Sequence, residues 1–294
     1  MELVYKIKNQ DSFELRDIFE CGQCFRWNME QDGSYTGVIK NAVINVSKIN
    51  NEIVFRGTII NSTALNIQNL FEDLIVNYFD LNNDYNKIKQ SLADIDDYLK
   101  ESTEFGSGIR ILNQDLWECI ISFIISANNN IPRIKRIIEK LCENYGKEIK
   151  WNGKNYYTFP TPESLAKASI QDLRNMGLGF RDVRVFNTTN MIINKTVDLD
   201  EIKNMNDSNK MREELLKLDG VGPKVADCIL LFSLKRYDVF PIDVWVRRVM
   251  NELYIHNENE EKVNKKQIVD LAKEKFLGIE GLAQQYLFYW KRSA

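Results

Sequence analysis

The first 60 residues alternate short apolar runs with turns. Phe25 and Trp27, Tyr35–Ile39, residues 43–46 and 53–55 are β-branched or aromatic, and Asp32-Gly33 and Asn50-Asn51 supply turn chemistry between them. The period then changes. Phe71, Leu74, Ile75 and Tyr78 recur at helical spacing, and Ile88, Leu92 and Ile95 follow it more loosely. Gly106-Ser107-Gly108 reads as a linker. Beyond Asn113 the pattern is helical to the last residues. Asp115 caps residues 116–127, a helix apolar nearly all round and therefore central. Pro132 opens a helix with Ile134, Ile137, Ile138, Leu141 and Tyr145 on its core face, and Gly146 ends it. Thr161 caps a short helix, and Ser169 with Asp172 forms a capping-box start to the next, which ends at Gly177. The pattern predicts an α+β chain, with an N-terminal antiparallel sheet domain over residues 1–107 and an all-α domain over 108–294.

The stretch Leu218-Asp219-Gly220-Val221-Gly222-Pro223-Lys224 lies between two helices of that second domain. The first covers residues 211–218, with Ser208 as its expected N-cap. The second starts with Pro223, where a missing N–H costs little. Gly220 and Gly222 permit positive φ and close approach, and the free N–H groups of such a corner suit a phosphate. A tight αα-corner explains the glycines alone. Lys224 changes that balance, because a helix N-terminus disfavours a cation. The same field and partial burial lower a lysine pKa, and a neutral amine is a nucleophile. Cys228 follows four residues later on the same face. The helix is about 16 Å long, and the eight or nine residues before Asp243 span about 25–30 Å when extended. Asp243 can therefore return to the Lys224 end, so that amine, thiol and carboxylate line one pocket.

Composition narrows the field. In 294 residues, 44% hydrophobic and 28% charged is ordinary for a globular protein of about two domains. No apolar run reaches the ~18 residues of a membrane helix, and the polar opening with Glu2, Lys6 and Lys8 predicts no signal peptide. Five sparse cysteines suit a reducing cytoplasm rather than a disulfide framework. The one histidine, His256, sits in a polar stretch and leaves Ser-His-Asp chemistry and multi-histidine metal sites unsupplied. Cys21-Gly22-Gln23-Cys24 has redox or half-zinc spacing, but no second cysteine pair completes a zinc site, and Phe25-Arg26-Trp27 reads as strand rather than the helix a thioredoxin motif needs. No metal or cofactor is implied. The net charge of −3 argues against a nucleic-acid partner. The distribution counters it: Arg133, Lys135, Arg136 and Lys140 cluster, Arg181, Arg184, Arg247 and Arg248 lie near the candidate segments, and Glu258, Glu260 and Glu261 gather elsewhere. Modest affinity with strong salt dependence is expected.

The residues from Gly220 to Cys228, together with Pro241-Ile242-Asp243, resemble the helix-hairpin-helix DNA glycosylases, and among them the 8-oxoguanine DNA glycosylases. The resemblance covers nearly the whole chain, with matches in both domains. The hairpin alone occurs in many non-enzymatic DNA-binding proteins; hairpin, lysine, cysteine and distal aspartate together are far more specific. It implies a twisted N-terminal sheet domain followed by a helical glycosylase domain, and lacks the four-cysteine cluster of the iron–sulfur members. Gly22-Gln23-Cys24-Phe25-Arg26-Trp27 is similar to the family's Gly-Gln-x-Phe-Arg-Trp segment, whose glycine offers a carbonyl to the N7–H of 8-oxoguanine; ordinary guanine carries a bare acceptor there. Asn128-Asn129-Asn130 matches the triplet whose first residue fills the gap left by the expelled base. It implies that Arg133 and Arg181 read the orphaned cytosine, and that Phe180, in place of the family's tyrosine, is the wedge. Gln284 and Phe288 match Ala-Gln-x-x-Leu-Phe: the amide reads the Watson–Crick edge and the ring stacks on the base, opposite Cys228 and Lys224, with Pro241 completing the pocket. Gln285 projects about 100° away. Trp245 stands where many members place histidine near a phosphate; an indole N–H to that phosphate and simple packing both remain open.

The resemblance implies a bifunctional 8-oxoguanine glycosylase and abasic-site lyase acting as a monomer on duplex DNA, with Lys224 as nucleophile and Asp243 as its electrostatic partner. Two rivals stand beside it. A glycosylase for alkylated purines would have no use for Lys224, and a non-enzymatic hairpin protein gives no reason for Cys228, Asp243, Gln284 and Phe288 to occur together.

Overall fold

Five strands, β1 (Leu3–Lys8), β2 (Trp27–Met29), β3 (Tyr35–Ile39), β4 (Ala42–Ile49) and β5 (Glu52–Ile59), pair antiparallel in the order β1-β5-β4-β3-β2 in a computed structural model. It describes residues 2–9, 11–60, 66–259 and 262–293, so Glu260 and Glu261 lie outside the described residues. The sequence pattern singles out neither β1 nor the short helix Leu15–Glu20. One face of the sheet buries Ile44, Val46 and Phe55 against Phe13 and Phe19 and against Phe71, Ile75 and Phe79 from the helix Ile67–Tyr78 and its end. Strand β2 begins at Trp27 rather than Phe25, because Phe25 turns out of the sheet and meets Phe123 in the helical core, ring centroids 5.5 Å apart.

The second domain is not all-α. A hairpin of β6 (Glu148–Trp151) and β7 (Lys154–Tyr157) turns at Asn152-Gly153, both at positive φ. Its Ile149, with Trp151 and Tyr156 beside it, covers Val38 and Val43 on the outer face of the N-terminal sheet. The reason is economy of apolar surface: β3 is buried at every position, so its far side needs a cover that the helices do not supply.

The helical core is built around Leu116–Ser126, of which Glu118 is the only residue before Ser126 that is not fully buried. It packs along the helix Pro223–Leu234. The helices Tyr85–Ala93 and Asp97–Phe105 precede the expected linker, yet Leu92 and Leu99 belong to this same core. Gly108 itself is tightly held. Its N–H donates to Asp17 at 3.0 Å, and a Cβ there would lie 2.0 Å from that of Glu14. Its glycine answers to crowding, not to flexibility. The helix before the hairpin spans Ser208–Leu216 and is capped by Asp207, not Ser208. The aspartate accepts from Asn209 and Lys210 N–H at 2.8 and 3.0 Å, whereas the Ser208 hydroxyl is spent on Asp238. Among the described residues no helix is long and apolar enough to cross a membrane, and no group of three His, Cys, Asp or Glu could hold a metal ion.

Candidate active site and nucleic-acid interface

The two hairpin glycines are needed for different reasons. Gly220 has φ +85°, and a Cβ on it would lie 3.0 Å from Arg184 Cβ and Cδ and 3.2 Å from Ile124 Cγ2. Gly222 has an ordinary φ of −96° and nothing within 4 Å of where a Cβ would sit. As N-cap it makes no side-chain bond to the helix it opens, so the leading N–H groups of Pro223–Leu234 stay available to a ligand. Lys224 follows on the first turn, half-buried, its Nζ 5.3 Å from the centre of the Phe123 ring.

Cys228 follows Lys224 by one turn of the same helix and is buried. Burial pushes its thiol up; the charge of Lys224 and a hydrogen bond from it pull the thiol down, and the carboxylates of Asp227 and, less strongly, Asp243 push it up again. Amine and carboxylate therefore both act on one buried sulfur. Asp243 follows the buried run Phe240-Pro241-Ile242 and is fixed as the N-cap of Val244–Met250, accepting from Val246 N–H at 2.8 Å.

A second cluster joins the N-terminal domain to the C-terminal helix Glu280–Ser293. Gly22 sits at φ +87°, and a Cβ on it would lie 3.6 Å from Phe288 Cε1 and 3.2 Å from Arg292 Nη1. The loop is stitched on both sides. Gln285 donates to the Cys21 carbonyl at 2.8 Å. The fully buried Gln23 donates to the carbonyls of Ile18 and Arg110 at 2.9 and 2.8 Å and accepts from Leu112 N–H at 2.8 Å. Gln284 is equally buried, but among the described residues no partner holds its amide. The neighbouring thiols Cys21 and Cys24 are free and buried, and burial pushes Cys21 up to about 12. Neither has the lowered pKa that redox or metal chemistry requires. Phe25 against Phe123, beneath Lys224, ties this loop to the hairpin.

The third group surrounds the Asn triplet, whose members have three different environments. Asn128 is exposed at φ +51°; Asn129 donates to the Ile125 carbonyl at 3.1 Å; Asn130 caps Ile131–Tyr145 by accepting from Arg133 N–H at 3.0 Å. Phe180 is 54% exposed, with Arg181 and Arg184 guanidinium carbons 4.2 and 5.3 Å from its ring. Arg133 is exposed and donates to the Gly177 carbonyl at 3.1 Å. Arg181 differs from it. It is buried and grips the Ala127 and Asn128 carbonyls at 2.6–2.8 Å, so it shapes the Asn128 turn. Trp245 is 43% exposed beside Arg248.

Sequence reasoning passed over Phe123 and Arg292 and set Gln285 aside as projecting elsewhere. Phe123 reads as one more core apolar. Gln285 gave a weak signal, a second glutamine inside the largely apolar run Leu282–Tyr289. Only the contact of Gly22 with the last helix singles out Arg292.

Residues 5–120 match the family described as 8-oxoguanine DNA glycosylase, N-terminal domain, and residues 121–273 match the HhH-GPD superfamily base excision DNA repair protein family. The chain belongs to the HhH-GPD superfamily of base excision DNA repair proteins. A probable N-glycosylase/DNA lyase of Methanothermobacter thermautotrophicus is 34% identical over 71% of this chain and 71% of its own length. The apo crystal structure of Clostridium acetobutylicum 8-oxoguanine glycosylase/lyase superposes with a TM-score of 0.88 at 42% identity, covering 98% of each chain. The same enzyme bound to duplex DNA with cytosine opposite 8-oxoguanine gives a TM-score of 0.89 at 41% identity, covering 99% and 97%. This HhH-GPD protein is accordingly a base excision repair enzyme of the N-glycosylase/DNA lyase class.

Proposed function

We propose that this HhH-GPD enzyme excises 8-oxoguanine opposite cytosine from duplex DNA and then cleaves the strand by β-elimination. What supports the chemistry is that Lys224 and Cys228 lie one turn apart on the helix that the open hairpin starts, with the charges of Lys224 and Asp243 both felt at that buried thiol. Hairpin N–H groups grip a phosphate, Phe180 wedges the stack and Asn128 fills the vacancy. The flipped base, whose unstacking costs a few kcal/mol, lies between the Phe288 ring and the Cys228 thiol, within reach of the uncommitted Gln284 amide. The Gly22 carbonyl accepts from N7–H, a bond that undamaged guanine cannot make; the lone-pair clash against it costs about 1–3 kcal/mol. Arg133 reads the widowed cytosine, and Arg181 joins it by releasing one of its carbonyl contacts.

In the chemical step the Lys224 amine attacks C1′, and the C1′–N9 bond breaks with its electron pair leaving on the base. Asp243 stabilises the cationic sugar. Loss of a proton from the new ammonium and opening of the sugar ring give a Schiff base. Its imine acidifies C2′–H, and elimination breaks the C3′–O bond. Borohydride trapping on duplex with 8-oxoguanine opposite cytosine tests this. A covalent adduct is expected for the native chain and none for Lys224→Gln. An adduct that survives the substitution, or its absence from the native protein, defeats the proposal. A lesion panel that includes alkylated purines fixes the substrate.

A further inference from the structure

Behind the Gly22 loop lies a cleft of about 890 Å³ whose wall includes Arg16, Asp17, Glu20, Phe105, Tyr289 and Arg292. Arg292 stands between this cleft and the base-reading cluster. Its Nη1 is 3.2 Å from where a Cβ on Gly22 would sit, and its guanidinium carbon is 5.6 Å from the centre of the Phe288 ring. Asp17 and Glu20 line the same cleft, yet Arg292 forms no ion pair with a described residue. Asp17 is engaged by Tyr289 and by Gly108 N–H, and Glu20 by Arg16 and Tyr35. An arginine in the last turn of a helix is favoured by the helix dipole alone, but that effect gives no reason for its head to lie against a glycine of another domain. The phenylalanine is one turn earlier on the same helix, so ring and guanidinium share a face.

We propose that Arg292 is a specificity-determining positioning residue: its guanidinium backs the Phe288 ring and the Gly22 loop together, holding stacking plate and reading carbonyl at a set separation before the damaged base enters. The role rests on the 8-oxoguanine reading above. A base sandwiched against Phe288 presses that ring onto its backing, and the guanidinium–ring contact strengthens as water leaves it. The Gly22 loop is anchored independently of that ring by the Gln285 and Gln23 hydrogen bonds, so it does not follow a ring that shifts.

The test separates base recognition from strand cleavage. Arg292→Ala and Arg292→Lys are compared with the native chain in single-turnover excision of 8-oxoguanine and in β-elimination at a preformed abasic site, which has no base to position. For Arg292→Ala the ratio of excision to abasic-site cleavage is expected to fall about three- to fivefold, the value of one cation–π contact. Arg292→Lys recovers most of it, and Arg292→Ala adds no further loss in a Phe288→Ala background. Equal falls in both rates would reveal a merely structural role and overturn the proposal, as would an unchanged ratio or an additive double mutant. If the native chain releases no 8-oxoguanine, the substrate reading fails instead, and the two failures are told apart.

Discussion

The cap that Asp243 provides and the catalytic role proposed for it can be separated by a single substitution. As N-cap it satisfies Val246 N–H, and asparagine does this as well as aspartate. Asp243→Asn is therefore expected to keep the melting temperature close to native while turnover collapses and DNA binding persists. Asp243→Ala costs about 1 kcal/mol more through the lost cap. Thermal melts beside single-turnover rates decide this, and a large drop in stability for the asparagine variant would mean that the charge itself holds the fold. Glu118 is the other informative carboxyl. Burial pushes it up to about 7 from an ordinary 4.5, although Arg26 Nη1 lies 3.7 Å away and pulls it down. Between those two pH values the folded state binds the proton that the unfolded chain has released, so this residue's contribution to stability falls as pH rises. The stability of the native chain relative to Glu118→Gln is expected to decline from pH 4.5 to pH 7 and then level. Melts of both proteins at pH 5 and pH 8 read that difference directly.

At the scale of the element, the hairpin glycines make opposite predictions. Gly220→Ala places a Cβ at φ +85° against the Arg184 stem and the Ile124 methyl, and should destabilise by about 1–3 kcal/mol. Gly222→Ala meets neither obstacle, so its stability should stay near native. Its effect should fall on DNA affinity, by crowding the approach of a phosphate to the first helical turn. Melting curves together with binding to undamaged duplex check the pair, and equal behaviour in both assays would refute the division of labour. Two other elements show how local rules were overridden. The cap moved from Ser208 to Asp207 because Asp238 captures the hydroxyl, and β2 starts late because Phe25 is drawn into the other core.

Across the whole molecule, the loop proposed to read the base belongs to one domain and the groups proposed to react belong to the other. Gln285 and Gln23 bind the loop to the helical domain through buried amides, while Phe25 and Phe123 join it beneath Lys224. Gln285→Leu leaves the Cys21 carbonyl unpaired and should destabilise by about 1–3 kcal/mol. Excision should suffer more than abasic-site cleavage, because only the loop is released. Parallel losses in both would show that the bond merely stabilises the fold. The buried Arg110 also works at this scale, donating to the Phe79 and Asp80 carbonyls at 3.0 and 2.7 Å across the segment where the chain passes between cores.

The chain by itself determined whatever depends on short range. Helix periods, caps such as Asp115 and Thr161, the four-residue spacings of Lys224 with Cys228 and of Gln284 with Phe288, and the positive-φ demand at Gly220 all arise from neighbours a few residues away. Asn128 could be singled out within its triplet only by the family likeness, and the exposure of Phe180 was legible only as an aromatic in a glycine-rich turn. Tertiary structure alone decided the rest. It made Arg181 a clamp on the Asn128 turn, set Arg292 against Gly22, laid the β6–β7 hairpin over Val38 and Val43, and merged Leu92 and Leu99 into the helical core. Those outcomes depend on which distant surface each group finds when apolar area is buried and every buried carbonyl must be met. Spacing along a chain does not encode that.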